Sequence, residues 1–185
     1  MSINVILGIL LAGVLSNNYA MLHFLGGGTV LCNRRGTVRS LILGLGTTLV
    51  MVLCTLATWP INTYLLGNAA YLQIMAFMIV LIVVVEVLHL VAGKLFDGFC
   101  RADFVHFAVN TAVLALCINN TSLAYGEAIV TALGVGLGFT VALMLYSRLR
   151  DAVYDEEAIP AAFRGLPVSL LTAGMIVLAL MALNF

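Results

Sequence analysis

Charge is what this sequence has least of. Its 185 residues hold eight basic and eight acidic side chains, 9% in all, against 63% hydrophobic residues. The mean hydropathy is +1.17. A water-soluble domain carries about 25% charged residues, so this shortage excludes a soluble domain of useful size and points to an integral membrane protein. A soluble substrate must then be handled by a partner. Long basic runs are missing as well, and with them the electrostatic footprint of a nucleic-acid binder. The one glycine cluster, Gly26-Gly27-Gly28, lies inside an apolar segment. A glycine triplet within a membrane span is no dinucleotide fingerprint. The stretch MSINVILGILLAG has neither a positive n-region nor an A-x-A-like cleavage site; it is expected to be retained as a first span.

What the sequence does have is apolar length. Six segments stand out: Ile3–Leu31, Ser40–Trp59, Ala70–Ala92, Phe104–Ile118, Ala128–Tyr146 and Val168–Phe185. Most approach the ~20 residues a spanning helix requires; the first is longer and the fourth shorter. The expected fold is an all-α integral membrane protein with six transmembrane helices. Its basic residues sort into alternate loops: Arg34, Arg35 and Arg39, then Lys94 and Arg101, then Arg148, Arg150 and Arg164. The opposite loops, PINTYLLGNA and NNTSLAYGE, have none. The positive-inside rule places the basic loops in the cytoplasm and both termini outside.

The chain also reads as two halves of one membrane domain, residues 1–95 and 96–185. GLGTT at 44–48 is echoed by GLGFT at 136–140. Three spans per half is an odd number, so the second half would be inserted upside down, as an inverted repeat. The Gly134/Gly138 spacing suits close helix packing.

Polar residues inside these segments mark the candidate site. Ser16–Cys32, SNNYAMLHFLGGGTVLC, combines Asn17, Asn18 and His23 with the glycine triplet. Each glycine costs a helix about 1 kcal/mol relative to alanine. Three in a row suggest a span broken at membrane depth, which is tolerated only where the backbone is buried in protein or lines a cavity. Equally, small residues let helices approach closely. The short fourth segment carries Asn110, so spans 1 and 4 are anomalous at matching places, the pattern of a binding site. Glu86 and His89 are three residues apart, hence on one helix face. They are either an ion-path pair, since intramembrane ionisable groups are costly, or a mutually hydrogen-bonded pair near the cytoplasmic end. Asn17, Asn18, Asn110, Glu86 and His89 are therefore the ion-path candidates; His23 and His106 are expected to make structural hydrogen bonds. No catalytic residue and no metal site is expected.

On this topology Cys32 and Cys100 fall at the cytoplasmic ends, and Cys54 and Cys117 toward the outside. A hydrocarbon core of about 30 Å separates the two groups, which excludes one four-cysteine cluster. Small apolar packing is the expected role, with a Cys54–Cys117 disulfide as the alternative. Trp59 and Tyr64 are assigned to an outer aromatic belt and Tyr146 to an inner one. The charged loop 151–165, DAVYDEEAIPAAFRG, is either a dock for a soluble partner or a solvated turn broken at Pro160.

Five collinear stretches carry a resemblance: NNYAMLHFLGG at 17–27, GLGTTLVMVL at 44–53, YLQIMAFMIVLIVVVEVLHLV at 71–91, VNTAVL at 109–114, and FRG followed by LLTAGMIVLALM at 163–181. The chain resembles the six-helix membrane subunits of the Rnf and Nqr ion-translocating oxidoreductases, most closely the A-type subunit of Rnf and its E-type counterpart in Nqr. The resemblance implies inverted halves with spans 1 and 4 broken, and a place in a bacterial cytoplasmic (inner) membrane complex. That complex moves electrons between NADH and ferredoxin or quinone and couples the flow to Na⁺ or H⁺. Implied partners are the lipid bilayer, a homologous six-helix subunit of opposite topology, and flavin- and iron–sulfur-bearing subunits. In the family a cysteine follows the phenylalanine-leucine-glycine of span 1 by one residue, and another follows the asparagine of span 4. Two subunits thereby supply four thiolates to an interfacial 2Fe–2S centre. Here those positions are Gly28 and Thr111, so this chain is expected to bind no cofactor alone and to act as scaffold and half of the ion or electron path. The family tends to place an acid at the position of His89; here the acid is Glu86, one turn earlier. The rival reading is a stand-alone small transporter, or a homodimer, with substrate against Asn17, Asn18 and Asn110.

Overall fold

The computed structural model describes residues 3–14, 25–28, 37–66, 70–95, 110–153, 160 and 163–183. All regular structure among them is helical: α1 (Ile3–Val14), α2 (Thr37–Tyr64), α3 (Gln73–Leu95), α4 (Thr111–Asn119), α5 (Tyr125–Val153) and α6 (Leu166–Leu183), with short 3-10 turns at Ala70–Leu72 and Asn120–Ser122. Three of these, α2, α3 and α5, are long and apolar enough to cross a membrane; α1 and α6 are shorter apolar helices. At 1.5 Å per residue the 28 residues of α2 and the 29 of α5 reach about 42–44 Å, more than a hydrocarbon core of about 30 Å. The nine residues of α4 reach only about 14 Å, so the fourth apolar segment contains a helix that starts part-way along.

Hydroxyls inside the long helices are absorbed by the backbone. Thr47, Thr58 and Thr63 each donate to a carbonyl three or four residues earlier, at 2.7, 2.7 and 3.0 Å. In a medium without water such bonds remove donors that would otherwise be unsatisfied. Pro60 falls in the last turn and a half of α2, where it removes one backbone N–H from the ladder close to the helix end.

Among the described elements the packing is centred on α2 against α5, their most extensive contact; α1 lies along α5, α4 against α2, and α6 touches α5 more lightly. Half of α2's apolar window and 56% of α5's is buried, against 17% for α3. The core is therefore built from Leu43, Val50, Met51, Val113, Leu116, Val135, Phe139 and Leu143, while Ile79, Ile82, Val83 and Val87 of α3 face outward. Cys54 and Cys117 are both buried in this core as free thiols; Cys32 and Cys100 lie outside the described residues.

Two polar ties fasten the end of the bundle that holds the α2–α3 and α4–α5 connections. Trp59 Nε1–H donates to the Leu123 carbonyl at 3.0 Å, with its ring 5.0 Å from that of Tyr125. Gln73 bonds Asn62 across the α2–α3 turn. At the other end Tyr146, assigned above to an aromatic belt, is only 4% exposed. Its hydroxyl donates to the Ser169 carbonyl at 3.2 Å, so it is a buried tie between α5 and α6 rather than a surface anchor. Beside it α5 and α6 leave an apolar space of about 500 Å³ lined by Leu149, Leu171 and Met175 among others.

Candidate functional site

The candidate site is built where the glycine triplet meets the start of α4. Asn110 has extended backbone angles (φ −100°, ψ 105°), and its Oδ1 accepts the Ala112 N–H at 3.0 Å. That is an N-cap, which satisfies one of the donors a helix start leaves open. The Asn110 carbonyl in turn accepts from Val113 and Leu114. Thr111, the first helical residue, receives the Gly26 N–H on its Oγ1 at 2.9 Å. Residues 85 apart in the chain are thus joined at the point where both their segments depart from regular helix.

Gly26 has to be glycine twice over. Its φ is +79°, a left-handed conformation that costs other residues about 1–2 kcal/mol. A Cβ there would also lie 2.7 Å from Phe139 Cε2 and 2.8 Å from Asn110 Oδ1. Gly28, two residues on, is exposed, and a Cβ at that position meets nothing within 4 Å. Thr111 is exposed too, whereas Asn110 is 1% exposed. The junction therefore has a buried inner part, Gly26–Asn110–Phe139, and an open outer part, Gly28–Thr111.

One group of the inner part is unsatisfied among the described residues: Asn110 Nδ2 is buried with no hydrogen-bond partner there, as is Asn120 Oδ1 at the far end of α4. The second amide is held on its other side, where Asn120 Nδ2 donates to the Ala128 carbonyl at 3.1 Å. Chemically the junction offers neutral groups, a hydroxyl and an amide, at the positive end of a short helix dipole. Gly28 provides no side-chain donor atom, and the Thr111 oxygen is already accepting a backbone bond. Among the described residues no three His, Cys, Asp or Glu side chains gather as metal ligands.

A second small-residue region lies at the α2–α5 crossing. A Cβ on Gly44 would fall 2.6 Å from Thr140 Cγ2 and 2.8 Å from Thr140 Cα; one on Gly136 would fall 2.6 Å from Thr48 Cγ2 and 2.9 Å from Thr48 Cα. The Thr48 and Thr140 hydroxyls are 3.2 Å apart, and each also lies within bonding distance of the carbonyl four residues earlier, at 2.9 and 3.0 Å. The pairing went unread in the sequence, although its signal was present: each motif sets a threonine four residues, one helical turn, after its first glycine.

Of the candidates named from sequence, only Asn110 is brought to this junction among the described residues. Asn17, Asn18, His23 and His106 lie outside them, as does most of the 151–165 loop. Glu86 is exposed on α3 and makes no hydrogen bond or ion pair with a described residue; His89 is half-buried one turn further on. Phe139, which closes the inner side of the junction, was not anticipated, since nothing but position distinguishes it from other apolar residues of α5.

Known proteins are similar to the chain along nearly its whole length. The family model described as the Rnf-Nqr subunit, membrane protein, matches residues 6–185. The A-type subunit of the ion-translocating oxidoreductase complex from Syntrophotalea carbinolica is 33% identical over 180 residues, covering 94% of this chain and 93% of the relative. The subunits of the same name from Colwellia psychrerythraea and Escherichia coli are each 32% identical over 182 residues, with 92% of both chains covered.

Proposed function

The chain belongs to the Rnf-Nqr family of membrane subunits, and on that footing we propose that it is part of an ion-translocating electron-transfer complex. The complex would couple electron flow between NADH and ferredoxin or quinone to movement of Na⁺ or H⁺, in a bacterial inner membrane. This chain would serve as scaffold and as half of the ion or electron path. Its partners would be a homologous subunit of opposite topology and subunits bearing flavin and iron–sulfur groups. The observation that carries the reading is the end-to-end match to relatives named as the A-type member of such complexes, over 92–94% of this chain.

The finer architecture is part of the same proposal. Six spans would form two inverted halves, 1–95 and 96–185, with both termini outside. The segregation of all eight basic residues to alternate connections and the helix ends beside them supports the orientation. The reciprocal fit of Gly44 with Thr140 and Gly136 with Thr48 supports the repeat, because a two-fold relation between halves produces such an exchange of equivalent contacts. The ion path would use Asn17, Asn18 and Asn110 at the broken spans, with Glu86 and His89 on α3. An exposed carboxylate on a membrane helix is costly against lipid, which supports a protein or ion partner at Glu86.

Affinity purification of the tagged chain from its own membrane tests the assignment. Recovery of a multi-subunit assembly containing flavin is expected; a lone monomer or homodimer would overturn it in favour of a stand-alone transporter. Within the recovered complex, Glu86→Gln is expected to alter ion coupling or its pH dependence at normal subunit levels. Unchanged transport and turnover would remove Glu86 from the path.

A further inference from the structure

We infer that the junction of the two interrupted segments is closed by a hydrogen-bonded clasp in place of metal ligation, so that positions 28 and 111 of this chain give no ligand to any iron–sulfur centre in the assembly. This deepens the proposed membership of an electron-transfer complex and rests on it. The family implies a thiolate at position 28 and another at 111, and the residues present do not fit that role. Gly28 has no donor atom, and the space around it is open, with nothing within 4 Å of an added Cβ. Thr111 Oγ1 is the acceptor for the Gly26 N–H at 2.9 Å. A neutral hydroxyl is a poor partner for iron beside thiolates. One of its two lone pairs is already taken up by that backbone donor.

The clasp has the parts needed to hold the break without metal. Gly26, fixed in the left-handed region at φ +79°, aims its N–H at Thr111. Asn110 caps the first turn of α4 from the adjoining position, and Phe139 and Asn110 close over Gly26 so tightly that no side chain fits there. Cys54 and Cys117 are packed as free thiols within the apolar helix core, and neither is among the residues that meet Gly26 or Thr111. Electrons that cross the membrane domain then pass between centres that take no ligand from this junction, which holds its two segments together instead.

The test uses the purified complex. Iron, acid-labile sulfide and EPR spectra are compared for wild type, Thr111→Val, Thr111→Ser and Gly28→Ala. Iron per complex and g-values are expected to stay unchanged in every variant. The thermal midpoint is expected to fall by a few degrees for Thr111→Val but not for Thr111→Ser, which keeps the acceptor oxygen. Loss of iron or a shifted EPR signal in Thr111→Val, with the subunit still present, would overturn the inference. If Thr111→Val does not assemble, a Mössbauer spectrum of the wild-type complex decides. Iron sites free of any oxygen ligand from this subunit support the clasp; an iron site with a hydroxyl oxygen ligand overturns it. Neither overturning result affects the functional assignment, which fails only if the chain purifies without other subunits.

Discussion

The α2–α5 crossing and the Gly26–Asn110–Thr111 junction both join the front of the chain to its back, and they do so by opposite means. At the crossing the two sides do the same thing. Each helix lends a glycine and receives a threonine, with clearances of 2.6 and 2.8 Å on one side and 2.6 and 2.9 Å on the other. Both hydroxyls have a carbonyl four residues back within bonding distance. At the junction the roles are divided: one segment gives a left-handed N–H donor, the other an acceptor hydroxyl and a cap, and one amide nitrogen is left over. Regular helices have already satisfied their own backbone, so they can meet through shape alone. A break leaves individual backbone groups open, and each needs its own partner. Symmetry survives in the first case and not in the second.

The largest expected effect comes from forcing a side chain into the junction. Gly26→Ala incurs about 1–2 kcal/mol for the left-handed backbone and about 1–3 kcal/mol for overpacking against Phe139 and Asn110. Thermal unfolding in detergent should show the complex close to collapse. Gly26→Asn, which tolerates the left-handed backbone but adds further atoms against Phe139 and Asn110, should recover nothing over Gly26→Ala if crowding dominates. At the crossing, Gly44→Ala and Gly136→Ala should each cost about 1–3 kcal/mol, and by similar amounts because the clearances match. A severe effect at one and none at the other would break the symmetry claimed for it. The smallest expected effect is that of Thr48→Val with Thr140→Val. Interhelical hydrogen bonds between membrane helices average about 0.6 kcal/mol, and a double-mutant cycle should return a coupling of that order. Zero coupling would mean that the 3.2 Å approach is packing only.

How much of this was legible in the sequence depends on which physical quantity each feature obeys. The long helices were legible because apolar length is a local property: Ser40–Trp59 was expected, and α2 runs Thr37–Tyr64. The junction was half legible, since Gly26–Gly28 and Asn110 are poor helix residues wherever they occur. What could not be read was which side of each helix faces inward. In water the inner face is marked by hydrophobicity, but in lipid both faces are apolar. Length and hydropathy mark the outward helix α3 and the central α5 alike as spans. Tyr146 looked like a belt residue for the same reason, and only the position of Ser169 makes it a buried tie. Thr48 and Thr140 were seen as an echo, not as neighbours, because a contact across 92 residues leaves no local trace.

That separation also sets a timetable. Ribosomes add about 5–20 residues per second, so about 5–20 s pass between the synthesis of Thr48 and that of its counterpart 92 residues on. During that interval α2 must sit in the bilayer with Gly44, Thr47 and Thr48 turned toward lipid or toward the insertion machinery. The hydroxyl bonds of Thr47 and Thr48 to the Gly44 carbonyl need no second helix. They let a nascent α2 wait without an open donor, and they keep its notched face ready for α5 when it arrives.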